Sequence, residues 1–594
     1  MSRKFTRIIC FILSLSLFAV CASFNKDSAH NTKSSSNAAK TLNSICDELA
    51  GHILMSDGIT LNYSLSDPAS YGINERFASL GEYGTNAFLN EYAYYENMLA
   101  RLNEVDKKNL SDDDAFTYDV VKKSLSRYQN VDKYLLYEEP LAPVSGIQAQ
   151  LPVLLAEYHF YNREEIDAYF HIIESVPAYF QSVISYEQEK KAANLFMDSS
   201  MADEIITQCR DFINEPENNY LIEVFEDNIS GIPGITDSQI KEYSAKNKEL
   251  ITGTLIPAYR ELINALSTLK DGCARGGLCT LPLGKDYYVH LLCDQTGSDK
   301  SPKELFSLLE NTLHDCRQNI AKAAASDPSV VNRLDNPTYP SDDPEAIMQY
   351  LTDNITCEFP APDANMTSYC IKYVHPSLEG TLSPAMYITP PIDTDSTDSI
   401  YINNASTDKN SLFPTLAHEG FPGHMYQMRY FMSSSPHPLR LLLNFGGYCE
   451  GWATYAELFS YDISGLNSGI SAILKNNKLS ILCIYSILDI GIHYYGWDKE
   501  KVSALLADNG INDPEITDEI YMAVLSEPGL YPKYTVSCIE FLKLREKAED
   551  ALKNKFDARA YHDFILKTGP AWFSLLYDKL DAWIDGQSAC NGNL

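Results

Sequence analysis

Basic side chains are scarce in this chain. Lysine and arginine number 47 against 80 aspartates and glutamates, a formal net charge of −33. Nowhere do the cations gather into the run that phosphate binding needs, which excludes nucleic acid as an expected partner. The acidic surplus reads as solubility. Apolar runs are scarce as well: past residue 22 no segment is apolar enough to span a bilayer. No two of the 14 cysteines stand in CxxC spacing, so no thiolate metal site is indicated. No internal repeat is found. What remains is a chain of 594 residues, long enough to bury a sizeable core as more than one domain or as one large helical body.

The N-terminus carries the first positive signal. Arg3, Lys4 and Arg7 precede the apolar run Ile8 to Ala22, which is too short for a comfortable span and reads as an export signal. Within it, Leu17-Phe18-Ala19-Val20-Cys21 resembles a bacterial lipobox with Cys21 as the lipid-bearing residue. Phe18 and Val20 depart from the usual choices, which leaves cleavage after Ala22 as the alternative. Residues 1–20 are thus expected to be a signal peptide and 21–40 a tether, since Asn25 to Lys40 is rich in Ser, Asn and Lys. The expected location is the cell surface as a lipoprotein, with a secreted or envelope-soluble form as the alternative. Of the remaining cysteines, Cys273 with Cys279, and Cys357 with Cys370, could each close a small disulfide loop.

From about 41 to 280 the chain carries helical periodicity, as in Tyr92 to Leu102 and Ile240 to Leu269. It is interrupted at Pro140, Pro143 and Gly146 and again at Gly231-Ile232-Pro233-Gly234. Between Tyr369 and Asn404 the texture changes. Ile371–Val374, Ala385–Thr389 and Ser399–Asn403 read as short strands separated by turn residues. The last of these could add an extended peptide at its edge, or could have no open edge at all.

The segment His418-Glu419-Gly420-Phe421-Pro422-Gly423-His424 follows, and then Glu450-Gly451-Trp452-Ala453-Thr454-Tyr455-Ala456-Glu457. Two imidazoles and a carboxylate form the ligand set of a hydrolytic zinc ion that keeps one position for water. The histidines stand six apart rather than four. On a regular helix six residues turn through roughly 600°, leaving the side chains about 120° apart and unable to share an ion. Pro422 would also clash with the His418 carbonyl in an unbroken helix, and Gly423 permits backbone angles closed to other residues. If the Pro-Gly pair accommodates two looped-out residues, the offset falls to four and both rings face one way. Glu450 and Glu457, seven apart, return to within about 20° of one direction. Trp452, Ala456 and Phe459 form an apolar stripe on the same helix. Cys449 should point away from the face that Glu450 uses and is expected to be a buried small hydrophobe.

His418-Glu419-x-x-Pro422-Gly423-His424-x-x-Gln427 followed by Glu450-Gly451-Trp452-Ala453-x-Tyr455-x-Glu457 resembles the DUF885 family of bacterial proteins, which looks like a distant branch of the gluzincin metallopeptidases. Asp489-Ile490-Gly491-Ile492-His493 with Gly496-Trp497, Pro528-Gly529 with Tyr534, Leu544 to Ala548, and His562-Asp563 with Leu566 and Gly569 fit the same family. Leu530 and Tyr485 depart from it, standing where Gln and Arg are usual. The resemblance implies a mainly α-helical body with a small β-sheet beside the metal-binding helix, and a catalytic region at 281–594. It implies Zn²⁺ held by His418, His424 and Glu450, with Glu457 orienting an imidazole N–H. Glu419 is the expected general base. His493 and Tyr534 are the candidate donors to an oxyanion. His290 is a candidate for lining the cleft; His52, His159, His171, His314, His375 and His437 read as surface or satisfied core residues.

The expected function is therefore an exported zinc metallopeptidase acting on a peptide substrate, touching the membrane only through its lipid anchor. Two alternatives stand beside it: a surface-anchored binding protein that retains the zinc fold without turnover, and an amidase acting on a modified cell-wall peptide.

Overall fold

The computed structural model describes residues 36–590, apart from 74–77, 274, 335, 365, 377–378, 380–382, 395–396 and 407–408. Cys21 and the export segment lie outside these. The chain is predominantly helical, with one three-stranded sheet, as expected. Helix α1, Asn37–Leu54, begins earlier than the expected tether allows. Ser36 caps it by accepting the Ala39 N–H, and Leu42, Ile45, Cys46 and Leu49 form a buried stripe. Residues 37–40 are thus the first helical turn, because a cap followed by an apolar periodicity outweighs their polar composition.

Two cores organise the rest. Helices α2 (Arg163–Ala192) and α3 (Ile256–Leu269) supply much of the smaller one, which reaches the sheet at Val374, Met386, Ile388 and Tyr401. The larger core joins residues between 42 and 137 to others between 278 and 584, so packing is continuous across position 280. Its central helices are α4 (Gly284–Thr296), α5 (Pro302–Ser326), α6 (Lys409–Glu419), α7 (His424–Ser433), α8 (Gly446–Ile463), α9 (Ser468–Ile490) and α10 (Leu530–Leu552). Helix α8 lies close against α4 and α10. A Cβ on Gly447 would stand 2.6 Å from the Gln295 carbonyl oxygen, and one on Gly451 2.4 Å from Ser537 Cβ. The glycine of the Glu-Gly-Trp motif is therefore a packing requirement.

The sheet comprises β1 (Tyr369–Tyr373), β2 (Ala385–Ile388) and β3 (Asp398–Ile402) in the order β1-β3-β2, with β1 parallel and β2 antiparallel to β3. The last strand in sequence is thus central and paired on both sides: Ile400 opposes Ile371 on one neighbour and Tyr387 on the other. It has no edge to offer a peptide. The edge that faces α6 belongs to β2. The eleven described cysteines from Cys46 to Cys538 are free thiols, so neither of the two possible disulfide loops is closed. Cys273 instead accepts from Lys191 Nζ, and Cys279 donates to the Ile492 carbonyl. No helix among the described residues is long and apolar enough to cross a membrane.

Candidate metal centre

The chain between the two histidines breaks into two helices rather than bulging within one. α6 ends at Glu419, residues 420–423 form a turn with a cis Phe421–Pro422 bond, and α7 starts at His424. Across the break the Tyr426 N–H donates to the Gly420 carbonyl at 3.2 Å, spanning six residues where a helix spans four. Two residues are absorbed, the number the spacing demanded. Gly423 has an unremarkable φ of −76°, so its need for glycine does not come from a left-handed backbone. It comes from proximity: a Cβ there would stand 1.8 Å from the His418 carbonyl oxygen. The Trp452 indole N–H, from α8, donates to the Pro422 carbonyl at 2.8 Å and ties the turn to the helix carrying the acidic pair.

His418, His424 and Glu450 are buried together, one potential ligand atom from each lying within 4.8 Å of the others. Nε2 of His418 is 3.5 Å, and Nε2 of His424 3.4 Å, from the same Glu450 oxygen, Oε2. These separations exceed normal hydrogen bonds. Neither Glu450 oxygen has a hydrogen-bond partner, although the residue is fully buried. The carboxylate is thus paired in charge with two imidazoles yet lacks a hydrogen bond, and a cation at the cluster would complete its contacts. Two ligand atoms at about 2.0–2.1 Å from one tetrahedral ion are about 3.4 Å apart, so the observed spacing suits zinc and its N,N,O donor set. Cys449 is buried on the same helix but does not join the cluster.

Around the cluster stand the other acidic residues. Glu457 Oε2 is 3.4 Å from His418 Nδ1, and its Oε1 is paired with Lys478 Nζ at 2.7 Å. Glu419 Oε2 accepts the Tyr387 N–H of β2 at 2.9 Å. Three buried carboxylates face two imidazoles and one ammonium, a surplus of two negative charges that a divalent cation would balance when the imidazoles are neutral. The ionisation follows. Burial alone would lower the pKa of His418, but Glu450, Glu457 and Glu419 push it up to about 10. Burial would raise that of Glu450, but the two imidazoles hold it well below the carboxylate range. Burial raises that of Glu419 despite the nearby imidazoles.

A small cavity opens onto this cluster, lined by Pro384 and Ala385 of the sheet edge, Thr415, His418 and Glu419 of α6, Thr454 and Glu457 of α8, Lys478 and Leu482 of α9, and Tyr534 of α10. The structure thus brings Tyr534 to the site along with Glu419 and Glu457. His493 is not brought there. Its Nδ1 accepts the Leu278 N–H at 3.2 Å and its Nε2 donates to the Val524 carbonyl at 3.0 Å. With burial driving its pKa down to about 4, it is a neutral, doubly engaged core residue with no N–H left for an oxyanion.

The rest of that motif is structural too. Asp489 accepts the Gly529 N–H and the Tyr288 hydroxyl, and a Cβ on Gly491 would strike the Trp497 ring. This junction anchors the start of α10, and so the helix that presents Tyr534. Tyr485, at one departure from the family pattern, packs against the Tyr531 ring at 4.7 Å. His562 and Arg545 meet at the Tyr455 hydroxyl, and Arg545 also pairs with Glu358. His290 and the six histidines expected at the surface or in the core do not line the cavity. Lys478, Tyr387 and the cavity threonines carry no local motif that would have singled them out.

Two solved structures share the fold over nearly their whole length. One is described as "the putative lipoprotein from Colwellia psychrerythraea": it is 17% identical, with a TM-score of 0.79, over 92% of this chain and 99% of that one. The other, "a putative lipoprotein of unknown function from Shewanella oneidensis", is 16% identical, with a TM-score of 0.61, over 91% and 99%. No curated protein matches the chain. The family model described as "Bacterial protein of unknown function (DUF885)" matches residues 69–580, and the chain belongs to that family.

Proposed function

We propose that the protein is an exported zinc-dependent peptidase in which Glu419 is the general base. The observation that carries this reading is the buried His418–His424–Glu450 cluster, with a carboxylate left unsatisfied by the protein and Glu419 adjoining it on the cavity wall. His418, His424 and Glu450 would hold the ion. When bound, it supplies Lewis acidity, polarising a scissile carbonyl and lowering the pKa of water. Glu419 then takes a proton from the attacking water and delivers it to the departing nitrogen. Glu457, its Oε2 3.4 Å from His418 Nδ1, would orient that ring and leave Nε2 as the ligand atom, while Lys478 holds the other oxygen of Glu457 in place. The Tyr534 hydroxyl, from the cavity lining, donates to the oxyanion as the carbonyl becomes tetrahedral.

A binding protein would have no use for a carboxylate fixed beside the ligand set, so Glu419 favours turnover. Export with Cys21 as the lipid-bearing residue is supported by the basic and apolar N-terminus and by the description of the two structural neighbours as lipoproteins. The test is a metal analysis of purified protein coupled to a peptide-library cleavage screen. One zinc per chain with cleavage of a subset of peptides supports the proposal. Stoichiometric zinc without any cleavage would favour the binder, and cleavage confined to modified cell-wall peptides added to the screen the amidase.

A further inference from the structure

Behind the cavity wall, one chain of polar contacts leads from Glu419 into the sheet and is left unused by the hydrolytic scheme. Glu419 sits at the last residue of α6 on a side chain with three rotatable bonds. Its Oε2 is fixed by the Tyr387 N–H, and that amide belongs to a four-residue strand hydrogen-bonded to the sheet on one side only. The hydroxyl of the same tyrosine donates to Asp398 Oδ1 at 2.9 Å. The other oxygen of Asp398 accepts from Arg429 Nε at 2.6 Å. Asp398 opens β3 and is fully buried; Arg429 lies on α7, the helix that begins with His424.

We propose that Asp398 and Arg429 act through Tyr387 as positioning residues for Glu419. One carboxylate thereby connects the strand that grips the base to the helix that carries a metal ligand. A charge-assisted hydrogen bond is shorter and stronger than a neutral one, so this link holds β2 at a set distance from α7 and, with it, the Tyr387 amide that orients Glu419. The plain alternative is a buried ion pair that stabilises the fold and does nothing to the base. The two differ in what happens at one amide. A fold-stabilising pair, once weakened, lowers melting temperature without loosening residue 387 more than its neighbours; a positioning device loosens that amide first. The consequence for turnover rests on the hydrolytic reading, but the consequence for the amide does not.

The experiment uses the full-length protein loaded with zinc and the variant Tyr387→Phe, which removes one hydroxyl and leaves the backbone intact. Zinc content is read by elemental analysis, and amide hydrogen exchange at residue 387 by fragmentation mass spectrometry. Loss of one hydrogen bond of about 1 kcal/mol should speed exchange there about fivefold, with stoichiometric zinc retained. On whatever peptide the library screen yields, kcat should fall about 10- to 100-fold with KM within about twofold, the scale of an orienting contact. In a Glu419→Gln background the same substitution should cause no further loss. Exchange at residue 387 that is unchanged, or that rises no more than at its strand neighbours, overturns the proposal. Faster exchange in a protein whose wild type cleaves nothing leaves the positioning device standing and removes the hydrolytic reading. Should Tyr387→Phe fail to fold, Arg429→Lys keeps the charge without Nε and should show the same faster exchange; protection equal to wild type would again overturn the proposal.

Discussion

The Trp452 indole N–H donates to the Pro422 carbonyl across 30 residues of sequence, and this one bond joins the two motifs of the site. Trp452 is fully buried and meets Phe359 and Phe541 edge-on. Trp452→Phe keeps an aromatic ring but leaves a buried carbonyl unpaired and a cavity beside it, a cost of about 2–3 kcal/mol. Chemical denaturation should register that loss, and zinc affinity should fall with it because the turn that sets His424 against His418 loses its tether. An unchanged zinc affinity would show that the turn holds itself.

Glu419→Gln keeps shape and packing but removes the base. Zinc should remain stoichiometric while turnover falls at least about a hundredfold, the lower end of general-base effects. Near-normal turnover in this variant would sink the mechanism.

The helical body and the three strands were legible because they rest on local periodicity, and the buried His418–His424–Glu450 cluster because its residues lie in two short segments. The residues that complete the site were not. Lys478 reaches Glu457 from another helix, and Arg429 reaches Asp398 on the sheet; neither contact leaves a mark in the neighbouring sequence. His493 shows the opposite failure. A polar residue inside a motif declares that it needs partners, not which partners, and those of His493 are the backbone of Leu278 and Val524. Gly423 was read as permitting backbone angles closed to other residues; the approach of the His418 carbonyl, which leaves no room for a Cβ there, was not legible. Whether the last strand had an open edge stayed undecided because order within a sheet cannot be read from order along the chain.

Asp489 predicts a pH effect on stability. Burial pushes its pKa up to about 7 despite the Tyr288 and Gly529 hydrogen bonds. The folded state therefore holds a proton that the unfolded state releases above about pH 4. The sign is that of a raised pKa: stability is fully present below about pH 4, falls as pH rises to about 7, and is level beyond, by on the order of 4 kcal/mol. His493 works the other way, its depressed pKa removing stability as pH falls from about 6.5 to 4. Asp489→Asn should cancel only the first effect. Measured by urea unfolding, the variant should gain stability relative to wild type between pH 5 and pH 8; a difference independent of pH would mean that Asp489 is ionised in the fold.

Anchoring can be tested through Cys21 alone. If it carries lipid, Cys21→Ser should move the protein from the membrane fraction to the medium or the soluble envelope fraction. A single acyl chain binds a membrane weakly and several bind firmly, so the shift should be nearly complete. Wild-type protein already soluble outside the cell would instead indicate cleavage after Ala22.

Glu450 and Glu457 share a helix face, and their surroundings assign them different work. Glu450 has two buried oxygens without a hydrogen bond and both imidazole Nε2 atoms near one of them. Glu457 already has one oxygen paired with Lys478 at 2.7 Å, and its other oxygen faces His418 Nδ1 rather than either Nε2. Substituting Glu450 by Gln removes a charged ligand oxygen, so zinc should be lost under mild chelation. Glu457→Gln removes an orienting contact and should cost about 10- to 100-fold in zinc affinity or activity. His418→Ala and His424→Ala should behave alike, each abolishing stoichiometric zinc, because the turn at residues 420–423 brings both rings to one oxygen. Elemental analysis after dialysis against a weak chelator separates these outcomes. Full zinc in His424→Ala together with loss in Glu457→Gln would place the ion between His418 and the two carboxylates, and the assignment of His424 would fall.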